Sequence, residues 1–235
     1  MAFTYNDPVI FMEYAIDTAR ACRQAGIKTV AVTAGYVCPE PRREFFGHMD
    51  AVNVDLKAFT EDFYRRTCGG SLAAVLETLV HIKEETGAWL EVTTLLIPGT
   101  NDSEAELEAA AGWFADNLGP DVPWHFTAFH PDYKMMDGPP TPAATLTRAR
   151  DIALGAGLNY VYTGNVHDER GGSTYCAGCG QLVIGRDWYR ITGYRLDDSG
   201  HCLDCRTACA GLFDPDGAGN WGPRRQAVRL ADFRA

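Results

Sequence analysis

Four of the eight cysteines of this chain form two Cys-x2-Cys pairs in its carboxyl-terminal part. Cys176 and Cys179 make the first pair, and Cys202 and Cys205 make the second. Two intervening residues let one tight turn present both sulfurs to the same ion, and a structural zinc ion takes four thiolates at about 2.3 Å. The sequence therefore predicts a closed four-cysteine metal site with a structural or docking role. Cys209 is an alternative to Cys205 as the fourth ligand.

Disulfide bonds and iron are the alternatives to zinc at these cysteines. The segment MAFTYNDPVI has neither the basic nor the apolar region of a secretory signal, which favours metal-ligating thiols over disulfides. The spacing also suits rubredoxin-like iron, so zinc or iron is expected. Cys22, Cys38 and Cys68 lie apart from the cluster at no recognisable ligand spacing, and we assign them no chemistry.

Polar residues at the ends of predicted strands form a second candidate group. In VNVDLK, alternation with a period of two puts the apolar residues on one face and Asp55 and Lys57 on the other. An Asp and a Lys there are costly to desolvate unless they pair with each other or with a charged ligand. A structural ion pair and a ligand-binding pair both remain open. Neighbouring strand ends carry Thr33 and Thr93, and His130 begins a long loop after a further strand.

The elements that must position these residues alternate between strand and helix. The predicted strands are AFTY, KTVAVT, VNVDL, WLEVTTLL, WHFTAF and NYVYT. Helices are predicted at 8–25, 39–46, 71–85 and 142–156, and another begins at Asp102 or Ser103 with Glu106 at a capping-box position. This order predicts an α/β fold with a parallel sheet, open or closed into a barrel, that binds ligands at the carboxyl ends of its strands.

The chain is expected to contain four segments. They are a parallel-sheet domain at 1–164, a linker at 165–175, a four-cysteine metal ribbon at 176–213 and a flexible tail at 214–235. Hydrophobic residues make up 46% and charged residues 22%, as in globular proteins. A net charge of −10 opposes binding to nucleic-acid phosphates, and no apolar run is long enough to span a membrane. We therefore expect a cytoplasmic protein with no membrane or nucleic-acid partner.

Several long stretches of the chain resemble one enzyme family. They are AFTYNDPVIFMEYAIDTAR, VTAGY, NVDLKAF, TTLLIPGTNDSE, FTAFHPDYKM, YVYTGNV and YCAGCG. From residue 2 to about 213 the chain resembles radical SAM enzymes of the pyruvate formate-lyase activating type, specifically the radical SAM protein of the AmmeMemoRadiSam system. The resemblance implies a partial parallel (β/α) barrel that holds a [4Fe-4S] cluster and S-adenosylmethionine, followed by a small zinc-ribbon-like module.

The resemblance also implies which residues contact S-adenosylmethionine. TYNDP stands where the family has a Gly-Gly-Glu-Pro element that contacts the methionine amino group, and DLK matches a strand that contacts the cofactor. TAG stands where relatives commonly have Thr-Asn-Gly, which weakens one inferred contact. The cofactor-binding residues implied in this way are Asn6, Asp7, Thr33, Asp55, Lys57, Thr93 and His130.

The cluster motif of the family, Cys-x3-Cys-x2-Cys, does not occur in these 235 residues. Two interpretations follow. The favoured one is a truncated radical SAM enzyme without its first strand and cluster loop, which in intact form cleaves S-adenosylmethionine to a 5′-deoxyadenosyl radical. A protein substrate or Memo-like partners are then implied. The other is a cluster-free barrel that acts as a binding or partner-docking protein. A barrel aldolase or phosphate-binding enzyme is disfavoured because no Gly-rich phosphate loop follows the last strands.

Overall fold

A computed structural model of the chain describes residues 1–213, so the predicted tail at 214–235 lies outside the described residues. The chain forms two compact units, Met1–Gly171 and a second that begins at Gly172. This boundary falls inside the predicted linker at 165–175. That segment contains regular structure, namely a short helix at Glu169–Gly172 and a strand at Thr174–Tyr175.

The first unit is built on a six-stranded sheet in which every neighbouring pair of strands is parallel. The strands follow one another across the sheet in chain order, from β1 at one edge to β6 at the other. They are β1 (Ala2–Phe3), β2 (Val30–Thr33), β3 (Ala51–Asp55), β4 (Trp89–Leu96), β5 (Trp124–Ala128) and β6 (Val161–Gly164). The predicted parallel α/β fold is confirmed.

Helices connect successive strands, and all of them except α3 fall at or within one residue of segments that the sequence analysis predicted as helical. They are α1 (Met12–Gln24), α2 (Pro39–Phe46), α3 (Glu61–Phe63), α4 (Leu72–Glu85), α5 (Glu104–Asn117) and α6 (Ala143–Gly155). The helix predicted at 8–25 is divided into a 3-10 turn at Pro8–Phe11 and α1. Ser103 is the N-cap of α5, and its side chain accepts a hydrogen bond from the backbone of Glu106.

One segment that the sequence analysis assigned to no element is helical. Thr60 caps α3, and the chain continues as a π-helix at Tyr64–Cys68 that ends at Gly69, whose φ is 69°. Glycine adopts this left-handed backbone without the steric cost that a side chain would impose. The turn places Tyr64, which is 3% exposed, against the chain that follows β3.

The core of the first unit lies on one face of the sheet. Val52, Val54 and Leu56 are at most 1% exposed, whereas the alternate residues of the same segment are half-buried. The rings of Phe114 in α5 and Trp124 in β5 stack at a centroid distance of 4.7 Å. The period-two alternation therefore separates a face buried under the helices from a half-exposed face that carries the polar side chains.

The second unit contains an antiparallel sheet of three strands, β7 (Thr174–Tyr175), β8 (Leu182–Asp187) and β9 (Arg190–Tyr194). Its small core combines Val183, Ile184 and Leu196 with the two cysteines Cys176 and Cys202. Within residues 1–213, none of the helices combines the length and the apolar character that a membrane span requires.

Candidate cofactor site and metal centre

The half-exposed face of the sheet carries a row of polar side chains across four strands. Asp55 of β3 is in register with Thr93 of β4, Thr93 with His125 of β5, and His125 with Tyr162 of β6. Residues in register on parallel strands point to the same side, and neighbouring strands are about 4.8 Å apart. Two of the predicted cofactor residues, Asp55 and Thr93, are thereby brought together.

Asp55 and Lys57 form an ion pair at the carboxyl end of β3. The Nζ atom of Lys57 lies 2.6 Å from the Oδ2 atom of Asp55, and the two side chains are 39% and 31% exposed. An ion pair open to water contributes about 1 kcal/mol or less to stability. Both groups therefore remain open to a charged ligand without a large loss of fold stability.

Asp7 is held at the carboxyl end of the neighbouring strand, β2. Its Oδ1 atom accepts hydrogen bonds from the hydroxyl of Thr33 at 2.8 Å and the backbone of Val9 at 3.1 Å. Its Oδ2 atom accepts one from the backbone of Ala34 at 2.8 Å. Asp7 is thus fixed as the cap of the 3-10 turn, with lone pairs left on Oδ2. Asn6 is exposed beside it.

Thr33 lies at a strand end, as expected, but on the face of the sheet opposite to the one that carries Asp55 and Thr93. It is in register with the fully buried Val54 and is itself 2% exposed. Its hydroxyl donates to Asp7 and accepts from the backbone of Gly35. The structure therefore gives Thr33 a role in holding Asp7 and does not place its side chain in the row with Asp55 and Thr93.

His130 lies beyond the carboxyl end of β5, where it is exposed. The loop that it begins contains Tyr133, whose φ is 50°, and a bridge between Asp132 and Met135. His130 is therefore at the same edge of the sheet as Asp7, Asp55 and Lys57, which is the edge where α/β proteins bind ligands.

Sequence reasoning placed Glu91 and His125 on strands but gave them no part in the site. The structure pairs them on the half-exposed face, with Nε2 of His125 at 2.8 Å from Oε2 of Glu91. The indole of Trp89 donates to Oε1 of Glu91 at 3.0 Å, and the ring of Tyr162 stacks on His125 at 5.0 Å. Alternation predicts the face of each residue, but the pairing depends on the register between β4 and β5.

Cys68 lies near the Asp55–Lys57 pair, although its spacing gave no sign of this. Burial raises the pKa of the Cys68 thiol, and the positive charge of Lys57 partly offsets that shift. Burial likewise raises the pKa of the Tyr64 hydroxyl, which accepts a hydrogen bond from the backbone of Lys57 at 3.0 Å. Both groups are therefore protonated at neutral pH.

The metal centre of the second unit has the four predicted ligands. The sulfurs of Cys176, Cys179, Cys202 and Cys205 all lie within 4.8 Å of one another. Cys176 and Cys205 are 3.4 Å apart, and Cys179 and Cys202 are 3.8 Å apart. A zinc ion with bonds of about 2.3 Å to four tetrahedral sulfurs requires separations of about 3.8 Å. The donor set fits such an ion.

Two of the four thiols differ in pKa. The hydroxyl of Thr207 lies 3.3 Å from the sulfur of Cys205, and hydrogen bonding to Thr207 lowers the pKa of Cys205 to about 6. The pKa of Cys179 is raised to about 12, because a backbone hydrogen bond from Gln181 that lowers it is outweighed by the contact with Cys205 and by burial. A thiolate is the form that binds metal. Cys209, the alternative ligand, is not one of the four, and its thiol contacts the carbonyl of Ala210 at 3.9 Å.

The described residues do not fit a [4Fe-4S] cluster of the radical SAM type. Such a cluster needs three thiolates and a fourth iron left open for S-adenosylmethionine. Within residues 1–213, the only cysteines whose sulfurs converge are the four of the ribbon, which make a closed site. No step of a reaction is therefore assigned to a cluster held by these residues.

Comparison with known proteins identifies two curated relatives. No protein-family model matches the chain. An uncharacterized protein of Methanocaldococcus jannaschii is 39% identical over 206 residues, which are 87% of this chain and 61% of that protein. The isethionate sulfite-lyase activating enzyme of Oleidesulfovibrio alaskensis is 27% identical over 107 residues, 45% of this chain and 35% of that enzyme. The chain thus spans less than two thirds of the length of either relative.

Solved structures show which fold the chain has. A domain of the pyruvate-formate lyase-activating enzyme from Bacteroides vulgatus superposes with a TM-score of 0.61 at 19% identity, covering 70% of this chain and 98% of that one. SuiB of Streptococcus suis bound to S-adenosylmethionine gives a TM-score of 0.57 at 11% identity, covering 71% and 39%. The chain has the α/β partial-barrel fold of radical SAM proteins, together with a four-cysteine module of the zinc-ribbon kind.

Proposed function

We propose that this chain belongs to a radical SAM protein of the activating-enzyme type and binds S-adenosylmethionine at the carboxyl edge of its parallel sheet. The observation that carries the proposal is the half-exposed Asp55–Lys57 ion pair, which lies at that edge in a chain with this fold. The likeness to a curated activating enzyme supports the same class. Within the class, the sequence resemblance favours the AmmeMemoRadiSam system protein.

The residues at this edge supply the charges that an amino-acid group requires. Lys57 is a donor for the carboxylate of the methionine moiety, and the Oδ2 atom of Asp7 has lone pairs to accept from the ammonium group. Asp55 holds the ammonium of Lys57 at the end of β3 until the ligand arrives. Asn6, Thr93 and His130 complete the edge, and Thr33 acts through Asp7.

In intact form, a protein of this class cleaves S-adenosylmethionine at a reduced [4Fe-4S] cluster and supplies a 5′-deoxyadenosyl radical that abstracts hydrogen from a substrate. The ligands of that cluster are not among the 235 residues. An in-frame Cys-x3-Cys-x2-Cys in the DNA upstream of Met1 would support this reading, and a stop codon directly upstream would oppose it. A protein substrate or a Memo-like partner is the partner proposed for this activity.

Calorimetric titration of the chain with S-adenosylmethionine tests the site. Binding is expected to be weak, and Lys57→Ala should weaken it by about ten- to a hundredfold, because a charge-assisted hydrogen bond contributes about 1.5 to 3 kcal/mol. Lys28→Ala is a matched control, since Lys28 pairs with Asp50 at the amino edge of the sheet, 3.1 Å apart. Equal affinities in all three proteins, or no binding by the wild type, would remove the proposed site.

A cluster-free docking protein is the second candidate, and one observation favours it. Large apolar side chains are exposed on the loops that follow β1, β2 and β5. They include Tyr5 at 103%, Tyr36 at 53% and Tyr133 at 82%. All three loops lie at the carboxyl edge of the sheet, and a contiguous exposed apolar patch at one edge is typical of an interaction site. If the wild-type chain does not bind S-adenosylmethionine and a stop codon lies directly upstream of Met1, the docking function would be favoured over the radical SAM function.

A further inference from the structure

The chain that follows β3 is held by side chains from three other segments. The hydroxyl of Thr94 donates to the carbonyl of Leu56 at 2.8 Å, and the amide of Asn101 donates to the carbonyl of Lys57 at 2.7 Å. On the other side of the same residue, the backbone N–H of Lys57 donates to the hydroxyl of Tyr64 at 3.0 Å. Both backbone groups of Lys57 are therefore bonded beyond the end of the strand.

These three side chains are buried, and two of them also bond other parts of the sheet. The hydroxyl of Thr94 accepts a hydrogen bond from the indole of Trp124 at 2.9 Å. Thr94, Asn101 and Tyr64 are 5%, 2% and 3% exposed. Asn101 also donates to the carbonyl of Leu95 at 2.9 Å and accepts from the backbone of Ile97 at 2.7 Å. One amide thus ties the end of β3 to the end of β4, and no hydrophobic residue could replace its bonds.

Glu106 contributes a fourth contact through an incomplete capping box. In a complete box, the Glu at this position would return a bond to the backbone of the N-cap residue, here Ser103. Ser103 does accept from the backbone of Glu106, at 3.3 Å. The carboxylate of Glu106, however, accepts from the backbone of Phe59 at 2.7 Å. The helix α5 therefore directs this side chain to the segment after β3.

We propose that Tyr64, Thr94, Asn101 and Glu106 are positioning residues that form a clamp on residues 56–59 and so fix Lys57 for S-adenosylmethionine. The inference deepens the proposed function and rests on it. The Asp55–Lys57 ion pair is open to water and cannot by itself hold the backbone beyond the strand. A bound carboxylate needs its donor in one place, because a hydrogen bond weakens steeply as its length and angle depart from the preferred values.

A pair of identical substitutions separates positioning from general stability. Thr94→Val removes a hydroxyl of the clamp, and Thr29→Val removes a hydroxyl that is 1% exposed and bonds Asp50 at the amino edge. Each of the two substitutions leaves the buried hydrogen-bond partners of the lost hydroxyl unpaired, so both should lower the melting temperature. Thr94→Val should also weaken S-adenosylmethionine binding, by up to the about ten- to hundredfold expected when the charge-assisted bond of Lys57 is lost, whereas Thr29→Val should not change it. Equal effects of the two variants on affinity would overturn the clamp.

Glu106 provides a second test that does not depend on a buried threonine. Glu106→Ala should weaken S-adenosylmethionine to a similar extent, and Glu106→Gln should restore most of the affinity because its amide oxygen can still accept from Phe59. In a Lys57→Ala background, Glu106→Ala should cause no further loss of affinity, because the effects of two substitutions that act through the same group do not add. Additive losses would mean that Glu106 acts elsewhere.

Amide hydrogen exchange keeps the clamp testable if the proposed function fails. Exchange at the N–H groups of Lys57 and Phe59 should be at least about tenfold faster in Glu106→Ala and Thr94→Val than in Thr29→Val. Unchanged exchange would overturn the clamp whatever the ligand. The wild type could fail to bind S-adenosylmethionine while the two variants still exchange faster. That result would support the clamp on Lys57 and reject only S-adenosylmethionine as the ligand.

Discussion

Removal of the metal from the second unit should unfold that unit. Among the described residues, the buried core of this unit has three aliphatic side chains, Val183, Ile184 and Leu196, besides two of the metal-ligating cysteines, and partly buried hydrophobic side chains such as Ile191 pack against it. Full burial of an aliphatic side chain contributes about 1.5 to 3 kcal/mol, so the three buried ones contribute at most about 9 kcal/mol. A structural zinc ion contributes about 10 to 16 kcal/mol to folding at neutral pH. The metal therefore contributes at least as much as the three buried aliphatic side chains.

Elemental analysis and circular dichroism measure this effect. The purified chain should contain one equivalent of zinc, and a double variant, Cys176→Ser with Cys179→Ser, should contain none and lose the β-sheet signal of the second unit. Cys209→Ser is the matched control, because Cys209 lies outside the group of four sulfurs. It should retain the metal and the signal.

Three results would contradict this prediction. Less than half an equivalent of any metal after metal-replete expression would show that the four converging sulfurs are not a metal site. Unchanged metal in the double variant, or loss of metal in Cys209→Ser, would show that the ligands were assigned wrongly. One equivalent of iron in place of zinc would leave the four cysteine ligands as described and correct only the identity of the ion.

Three further predictions concern the first unit. The 235-residue chain should not hold four irons after anaerobic reconstitution, and a four-iron stoichiometry would show that Cys22, Cys38 or Cys68 acts as a ligand. Asp7→Asn should weaken S-adenosylmethionine by about tenfold in calorimetry, since it removes the charge that faces the ammonium group, and equal affinity would assign Asp7 to capping alone. The hydrogen bond from the backbone of Thr29 lowers the pKa of Asp50. Ionised Asp50 therefore stabilises the fold above a pH of about 4, which is the pKa of Asp in the unfolded chain. This stabilisation is lost as the pH falls through the lowered pKa of the folded state. In urea denaturation, Asp50→Asn should cost about 1 kcal/mol at pH 7 and nothing below both pKa values, and a constant cost at every pH would contradict the assignment.

The face of a strand could be predicted from the sequence only where its two faces differ in polarity. In β3, the polar residues Asn53 and Asp55 alternate with Val52 and Val54, so Asp55 was placed correctly on the half-exposed face. In β2, the sequence VAVT offers apolar residues on both faces. Nothing in that strand shows which set the helices cover, and the structure buries Thr33 with Ala31. The four-cysteine set was predictable for a different reason, because its ligand spacing is local.

The clamp on Lys57 was not predictable, because three of its four contacts join residues 38 to 47 positions apart in the chain. The capping-box spacing of Ser103 and Glu106 is a local signal, and it correctly predicted where α5 begins. The same spacing implies that the carboxylate of Glu106 returns to its own helix. Only the parallel packing of β3 beside β4 brings Phe59 within reach of Glu106, although 47 positions separate them. A residue type that is typical of a helix start can therefore serve a site on another strand. Glu106 lies two positions beyond the segment TTLLIPGTNDSE, which itself contributes Thr94 and Asn101 to the same clamp.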